Sequence, residues 1–208
     1  MRRDSFEVGV DGGLLRGSVV GHGDLVLLLH GGPGLPWTYL QALVDEICDG
    51  YQVAAYQQRG LPPSTAGAPF DVPTQVGDVV AVLDGLGWDR AVVIGHSWGG
   101  HLLLHLLAAH PERVAAAMVV DPLGGVGDGG EAQFGAELLR RTPAHDVERL
   151  EELDRQAMGG QGTEADALRA WSGQPDAGHG VDRHCPGHFV WLDRPGVVRS
   201  ALDRLVND

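Results

Sequence analysis

A serine between two glycines is the residue of this chain best suited to chemistry. The motif G-x-S-x-G is met by Gly95-His96-Ser97-Trp98-Gly99, directly after an apolar run and before a helical pattern. In that context the serine occupies a sharp strand-to-helix turn that lifts its hydroxyl above a sheet, and the glycines avoid collisions there. The helix that follows adds a dipole favouring negative charge. We therefore predict Ser97 as a nucleophile, against the alternative of a glycine-rich turn that binds phosphate.

A second glycine-rich turn follows an earlier apolar run and has the sequence His30-Gly31-Gly32-Pro33-Gly34. A turn after a neighbouring strand adjoins the nucleophile, and its backbone N–H groups can stabilise the oxyanion of an acyl-transfer reaction. We predict that Gly32 N–H and Trp98 N–H are the two donors of this oxyanion hole. The other residues predicted to contact the substrate are Gly31, Gly34 and His96.

The elements that must position these turns alternate along the chain. Apolar runs predict a hairpin over 6–10 and 14–20 and buried strands over 25–29, 53–56, 91–94 and 114–120. Helical periodicity separates them at 39–47, 76–86 and 102–109, and a last helix begins near Pro195. This alternation predicts an α/β fold with a mostly parallel sheet covered by helices on both faces. We divide the chain into a core over 1–121, a helical cap over 122–172 and a C-terminal core segment over 173–208.

The two glycine motifs, with Gln57-Gln58-Arg59-Gly60 between them, resemble the proline iminopeptidase group of α/β-hydrolases over about residues 6–130. The resemblance resumes at 187–196, which is similar to the catalytic-histidine segment of that group and implies that His188 is the general base. Where the family usually has Asp-Gln-Arg-Gly, this chain has Gln57 in place of the aspartate. The resemblance implies the α/β-hydrolase fold and the release of N-terminal proline, or the hydrolysis of small amides and esters.

A serine–histidine pair needs a carboxylate behind the imidazole, and in this fold the acid precedes the histidine. The residues between Trp171 and His188 are too few for a strand, a crossover helix and a second strand, so we expect the C-terminal part of the sheet to be truncated. Two acids are candidates. Asp121 ends the strand after the nucleophile helix, a rigid position that favours it, although it could instead cap the Pro122 turn. Asp176 lies in a residual G-x-x-D segment.

Charge and composition limit the partners. The formal net charge is −13, from 28 acidic and 15 basic residues, and argues against nucleic acid or an anionic membrane surface as a partner. Cys48 and Cys185 form no zinc or disulfide pattern. His101 and His105 are predicted as hydrogen-bonded packing residues rather than metal ligands, and no metal or cofactor is expected. The N-terminal residues lack the apolar segment of a signal peptide, which favours the cytoplasm.

The predicted loss of strands has a consequence for assembly. Residues 115–120 would form an uncharged edge strand, and such edges recruit partners or aggregate, so we predict a homodimer through this edge, or poor solubility. Two classes of function remain open at this point. The first is a serine hydrolase working through an acyl-enzyme on a small molecule or peptide, as a prolyl peptidase or a small-ester hydrolase. The second is a catalytically impaired, truncated relative that at most binds a ligand.

Overall fold

The computed structural model describes residues 3–32, 35–122, 140 and 189–207, and these contain one six-stranded sheet. Its strands are β1 (Arg3–Val10), β2 (Gly13–Gly21), β3 (Asp24–Leu29), β4 (Tyr51–Gln57), β5 (Ala91–His96) and β6 (Val114–Val120). They are arranged in the order β1-β2-β4-β3-β5-β6. β1 pairs with β2, and β2 with β4, in antiparallel fashion, whereas β4, β3, β5 and β6 are mutually parallel. The predicted hairpin and the mostly parallel α/β sheet are therefore confirmed.

Helices cover both faces of this sheet. They are α1 (Gln41–Ile47), preceded by a 3-10 turn over Trp37–Leu40, α2 (Val72–Gly85), α3 (Trp98–Ala109), α4 (Val190–Asp193) and α5 (Val197–Asn207). α2 begins at Asp71, whose carboxylate accepts the N–H of Thr74 at 2.9 Å, as an N-cap residue does. The sequence pattern predicts each of these helices except α4, a single turn too short to show periodicity.

The period of two along β3 divides the core into two layers. Val26 and Leu28 pack on one face with α1 and α5, and Leu27 and Leu29 pack on the other with α2 and α3. All four side chains are almost fully buried, as expected of a parallel strand covered on both sides. Among the described residues, β3 is therefore an inner strand of the sheet that is buried on both faces, and the turn after it starts from a fixed point.

The last helix is tied to α1 and β4 by polar contacts. The Glu46 carboxylate accepts the backbone N–H groups of Gly196 at 2.8 Å and of Arg199 at 3.2 Å, at the start of α5. The Tyr51 hydroxyl donates to Asp203 at 2.8 Å. These contacts hold α5 and the residue just before it, Gly196, against α1 and β4.

β6 forms one edge of the sheet within the residues described. Val119 on this strand is 43% exposed. The predicted cap over 122–172 and the predicted truncation of the sheet concern residues 123–188, which apart from residue 140 lie outside the described residues. The homodimer and the cytoplasmic location stay predictions. Among the helices of the described ranges, none has the length and apolar character needed to cross a membrane.

Candidate active site

Ser97 occupies the turn between β5 and α3, as predicted, in a strained backbone conformation. Its φ is 53° and its ψ is −119°. Residues other than glycine seldom adopt a positive φ, and such conformations cost about 1–3 kcal/mol each. The Ser97 N–H donates to the carbonyl of Val120 on β6 at 3.0 Å. The side chain is fully buried, and its hydroxyl has no hydrogen-bond partner among the residues that the structure describes.

The two glycines of the motif are required by close backbone contacts. A Cβ atom on Gly95 would lie 2.3 Å from the carbonyl oxygen of Gly99. A Cβ atom on Gly99 would lie 2.2 Å from the carbonyl oxygen of Leu29, the last residue of β3. Both distances are far below any normal contact, and both neighbours are backbone atoms. The glycines therefore let α3 begin directly against β5 and β3, which forms the sharp turn at Ser97.

The predicted oxyanion loop, residues 30–34, begins beside the nucleophile. A Cβ atom on Gly31 would lie 3.0 Å from the Cβ of Ser97. Gly32 follows with a φ of 128°, a conformation that only glycine adopts readily. Trp98 is the first residue of α3, so its N–H has no acceptor within the helix. The structure thus brings Gly31 against Ser97, while Gly34 lies outside the described residues.

His30 fixes the start of this loop as a neutral imidazole. Its Nε2 accepts the backbone N–H of Gln58 at 3.0 Å, so the ring proton is assigned to Nδ1, which donates to the carbonyl of Gly31 at 2.6 Å. Burial lowers the pKa of His30 from 6.5 to about 4, and the bond to Gly31 opposes this shift. These two hydrogen bonds link the start of the loop to Gln58 and to its own next residue.

Gln58 joins the oxyanion loop to the nucleophile turn. Its side-chain amide donates to the carbonyl of His30 at 2.8 Å, and its side-chain oxygen accepts the indole N–H of Trp98 at 3.1 Å. One buried carboxamide therefore contacts His30, at the start of the oxyanion loop, and Trp98, whose backbone N–H is the second predicted donor. In the sequence Gln58 is visible only as part of a family motif, and nothing in the pattern predicts this role.

Gln57, which stands where the related family usually has aspartate, holds the far end of the same loop. Its side-chain oxygen accepts the N–H of Trp37 at 3.1 Å, and its amide donates to the carbonyl of Leu35 at 3.2 Å. The amide also lies 3.3 Å from Nε2 of His30. These partners require both an acceptor and a donor on one side chain, which glutamine supplies and aspartate does not.

A buried ion pair supports the strand end that carries these glutamines. Arg59 Nε and Nη2 each lie 2.6 Å from an oxygen of Asp78 on α2, and both side chains are almost inaccessible to solvent. The carboxylate of Asp78 raises the pKa of Arg59 above its usual value. This pair was not predicted from the sequence, although an aspartate among the buried valines of α2 indicates a buried partner.

An aromatic cluster surrounds the residue before the nucleophile. It consists of Tyr39, His96, Phe189 and Trp191. The ring of His96 lies 5.4 Å from that of Phe189 and 4.9 Å from that of Trp191, measured between centroids. Phe189 is the chain neighbour of His188, which itself lies outside the described residues. His96 is buried in this cluster, and its predicted contact with substrate stays a prediction.

Asp121, the first candidate acid, directly follows the strand end that binds the nucleophile turn. Val120, its neighbour, accepts the Ser97 N–H at 3.0 Å. Asp121 is exposed and has a φ of 44°, a left-handed conformation that aspartate tolerates better than most residues. The strand-end position predicted for Asp121 is therefore present. Asp176, the alternative acid, lies outside the described residues.

The remaining histidine pair lies one turn further along α3. The Nε2 atoms of His101 and His105 are 3.2 Å apart, so one ring donates to the other. Burial, with the neighbouring His101, lowers the pKa of His105. The predicted hydrogen bonding of these two residues is confirmed. No group of three or more potential metal ligands occurs in the described part of the chain.

The fold and this strained serine turn together define the class of protein. The family model for the α/β-hydrolase fold matches residues 24–202, and the chain belongs to that family. The resemblance of the sequence to the α/β-hydrolases is thereby confirmed at the level of the family.

Individual relatives differ in activity. The chain is 35% identical over 109 residues to epoxide hydrolase B of Mycobacterium tuberculosis, a match covering 50% of this chain and 31% of the relative. It is 35% identical over 106 residues to the proline iminopeptidase of Lactobacillus delbrueckii subsp. bulgaricus, covering 47% and 36%. The solved structure of a proline iminopeptidase-related protein from Thermus thermophilus matches with a TM-score of 0.53 and 28% identity, covering 59% of this chain and 45% of that one. The matches span about a third of the length of these curated relatives.

Proposed function

We propose that the protein is a serine hydrolase that cleaves small esters or amides, including N-terminal prolyl substrates, through an acyl-enzyme at Ser97. The observation that carries this proposal is the strained serine between β5 and α3, next to a loop that can supply oxyanion donors. Hydroxyl attack on a carbonyl followed by hydrolysis of the acyl-enzyme is the chemistry for which such a turn is suited.

A serine as the nucleophile also distinguishes between the two activities named for the relatives, epoxide hydrolysis and the release of N-terminal proline. Attack of the Ser97 oxygen on an epoxide carbon would break the ring C–O bond and leave an ether between enzyme and product. Water does not cleave an alkyl ether under ordinary conditions, so the enzyme would be alkylated once and would not turn over. Attack on an ester or amide leaves an acyl-enzyme ester, which water can hydrolyse. Ser97 therefore favours carbonyl substrates over epoxides.

In the proposed mechanism His188 takes the proton of Ser97 and returns it to the leaving group. The N–H groups of Gly32 and Trp98 stabilise the oxyanion that forms on the carbonyl. The packing of Phe189 against His96 supports this role for His188, because neighbouring Cα atoms are only about 3.8 Å apart. Asp121 is the proposed acid, since it adjoins the strand end that binds Ser97.

A fluorophosphonate probe tests the nucleophile. We expect the wild-type protein to be labelled, Ser97→Ala not to be labelled, and the exposed Ser200→Ala to behave as wild type. Turnover of p-nitrophenyl acetate, a prolyl p-nitroanilide and styrene oxide then separates esterase, peptidase and epoxide hydrolase. A wild-type protein that is not labelled, or that turns over styrene oxide repeatedly, contradicts the proposal.

The acid is tested by substituting each candidate conservatively. Asp121→Asn keeps a residue that tolerates the left-handed conformation and removes the charge, so a fall in kcat reports the carboxylate and not the turn. By analogy with other triads the expected fall is about 10⁴-fold. The matched variant Asp176→Asn should leave kcat unchanged. If instead Asp176→Asn abolishes turnover and Asp121→Asn does not, the acid is Asp176.

A further inference from the structure

One tyrosine hydroxyl connects the oxyanion loop to the strand that carries the nucleophile. The Tyr39 hydroxyl accepts the backbone N–H of Gly31 at 2.5 Å. It lies 2.7 Å from Nδ1 of His96, the residue before Ser97. A phenol hydroxyl accepts and donates at the same time, so Tyr39 can accept the N–H of Gly31 and donate its own proton to Nδ1 of His96 when that nitrogen is unprotonated.

These groups converge on one point. A Cβ atom on Gly31 would lie 3.0 Å from the Cβ of Ser97, 3.1 Å from the Tyr39 hydroxyl and 3.2 Å from Nδ1 of His96. The loop therefore passes between the tyrosine and the nucleophile so closely that even a methyl side chain on Gly31 would require its neighbours to shift. A shift of the hydroxyl would move the loop relative to Ser97.

The ring of Tyr39 contacts a third segment, the one that follows the predicted base. Its centroid lies 5.5 Å from that of Phe189 in an edge-to-face arrangement, and 6.2 Å from that of Trp191. Aromatic pairs at such separations are mutually attractive. Tyr39 thus contacts the oxyanion loop, the strand before the nucleophile and the chain after His188.

We propose that Tyr39 is a positioning residue that holds the oxyanion loop against Ser97 and reserves the Gly31 N–H, so that Gly32 N–H is the loop donor to the oxyanion. This inference rests on the proposed function. The Gly31 N–H already donates to the Tyr39 hydroxyl, so it is not available to bind the oxyanion. The next N–H in the loop, that of Gly32, is the one that can bind it. Burial raises the pKa of Tyr39 above its usual value, so the hydroxyl stays protonated at working pH.

Tyr39→Phe tests the hydroxyl while it keeps the ring contacts. Without the hydroxyl, the Gly31 N–H and Nδ1 of His96 lose this shared partner in a buried site, and the loop must rearrange. We expect kcat for p-nitrophenyl acetate to fall about 10- to 100-fold while KM changes less than about twofold, because the oxyanion exists in the transition state and not in the bound substrate. A role in stability alone would not produce this split between kcat and KM.

Tyr51→Phe is the matched control. Tyr51 is also buried, and its hydroxyl donates one hydrogen bond, to Asp203 on α5, away from the nucleophile turn. We expect this variant to keep the wild-type kcat. Equal kcat values for Tyr39→Phe and Tyr51→Phe overturn the inference.

A second measurement separates this inference from the proposed function. Amide hydrogen exchange at Gly31, followed by NMR, should be faster in Tyr39→Phe than in wild type and unchanged in Tyr51→Phe. If the wild-type protein neither labels nor turns over substrate, the proposed function fails, and the Gly31 exchange rate still decides the positioning role. Unchanged exchange at Gly31 in Tyr39→Phe overturns that role whatever the activity.

Discussion

Gly99→Ala tests the contact that brings the nucleophile helix against the central strand. The new Cβ would lie 2.2 Å from the carbonyl oxygen and 2.6 Å from the carbonyl carbon of Leu29. Leu29 is the buried last residue of β3, and its carbonyl atoms belong to the backbone. They therefore cannot move out of the way by a side-chain rotation. Either α3 or the end of β3 has to move by more than about 1 Å to reach ordinary contact distance.

The magnitude follows from two opposing terms. Forcing an added methyl group into a packed core costs about 1–3 kcal/mol and occasionally more, and contact with immobile backbone belongs at the upper end. Replacing glycine by alanine in a helix returns about 0.5–1 kcal/mol. We expect Gly99→Ala to lower the free energy of unfolding by about 2 kcal/mol. Because His30 follows Leu29, the oxyanion loop should also shift and kcat should fall.

Gly77→Ala is the matched control on α2. An added Cβ there meets nothing within 4 Å, so only the helix term remains. Urea unfolding at neutral pH should show Gly77→Ala about 0.5–1 kcal/mol more stable than wild type, and the two variants about 3 kcal/mol apart. If Gly99→Ala is as stable as Gly77→Ala, the start of α3 does not pack directly against Leu29.

Three further predictions concern charge and assembly. The pKa of His30 is lowered from 6.5 to about 4 in the folded protein, so as the pH falls the unfolded chain binds a proton before the folded protein does. The free energy of unfolding should therefore fall by about 3 kcal/mol between pH 6.5 and pH 4. Urea midpoints across this range should show the loss, and His30→Gln should reduce it. Asp78→Ala should cost about 3–5 kcal/mol by leaving Arg59 buried and unpaired, and the double variant Arg59→Met/Asp78→Leu should recover part of it; equal stabilities of the two variants would contradict this. Sedimentation velocity should show a dimer that Val119→Arg dissociates, whereas a monomeric wild type at high concentration would exclude the edge-strand interface.

The parts of the fold that the sequence predicted are those encoded locally. The continuous apolar run over 25–29 and the glycine spacing around Ser97 each determine nearby backbone, and both appear in the structure as expected. In such cases the chemical reason and the observed contact lie within a few residues of one another.

The contacts that escaped prediction join segments distant in the sequence. Tyr39 and Phe189 meet across 150 residues of chain, and neither has a periodicity or spacing that marks the other. In the sequence Gln58 is only one residue of a motif, whereas in the structure its carboxamide forms hydrogen bonds with both His30 and Trp98. Polar residues that position other residues, and do not contact the substrate, are recognised from tertiary contacts and not from the sequence pattern.

The geometry of the nucleophile is set independently of the acid. A strained residue persists where its surroundings over-determine it. Ser97 is held by the carbonyl of Val120, by the start of α3 against Leu29, and by Gly31 across its Cβ. All of these contacts lie between residues 29 and 120, so they do not depend on whichever carboxylate orients the base. Labelling by the fluorophosphonate probe therefore reports an activated serine, whereas turnover reports a complete triad. A protein that is labelled slowly and turns over substrate poorly would be a hydrolase in which the carboxylate supports the base only weakly.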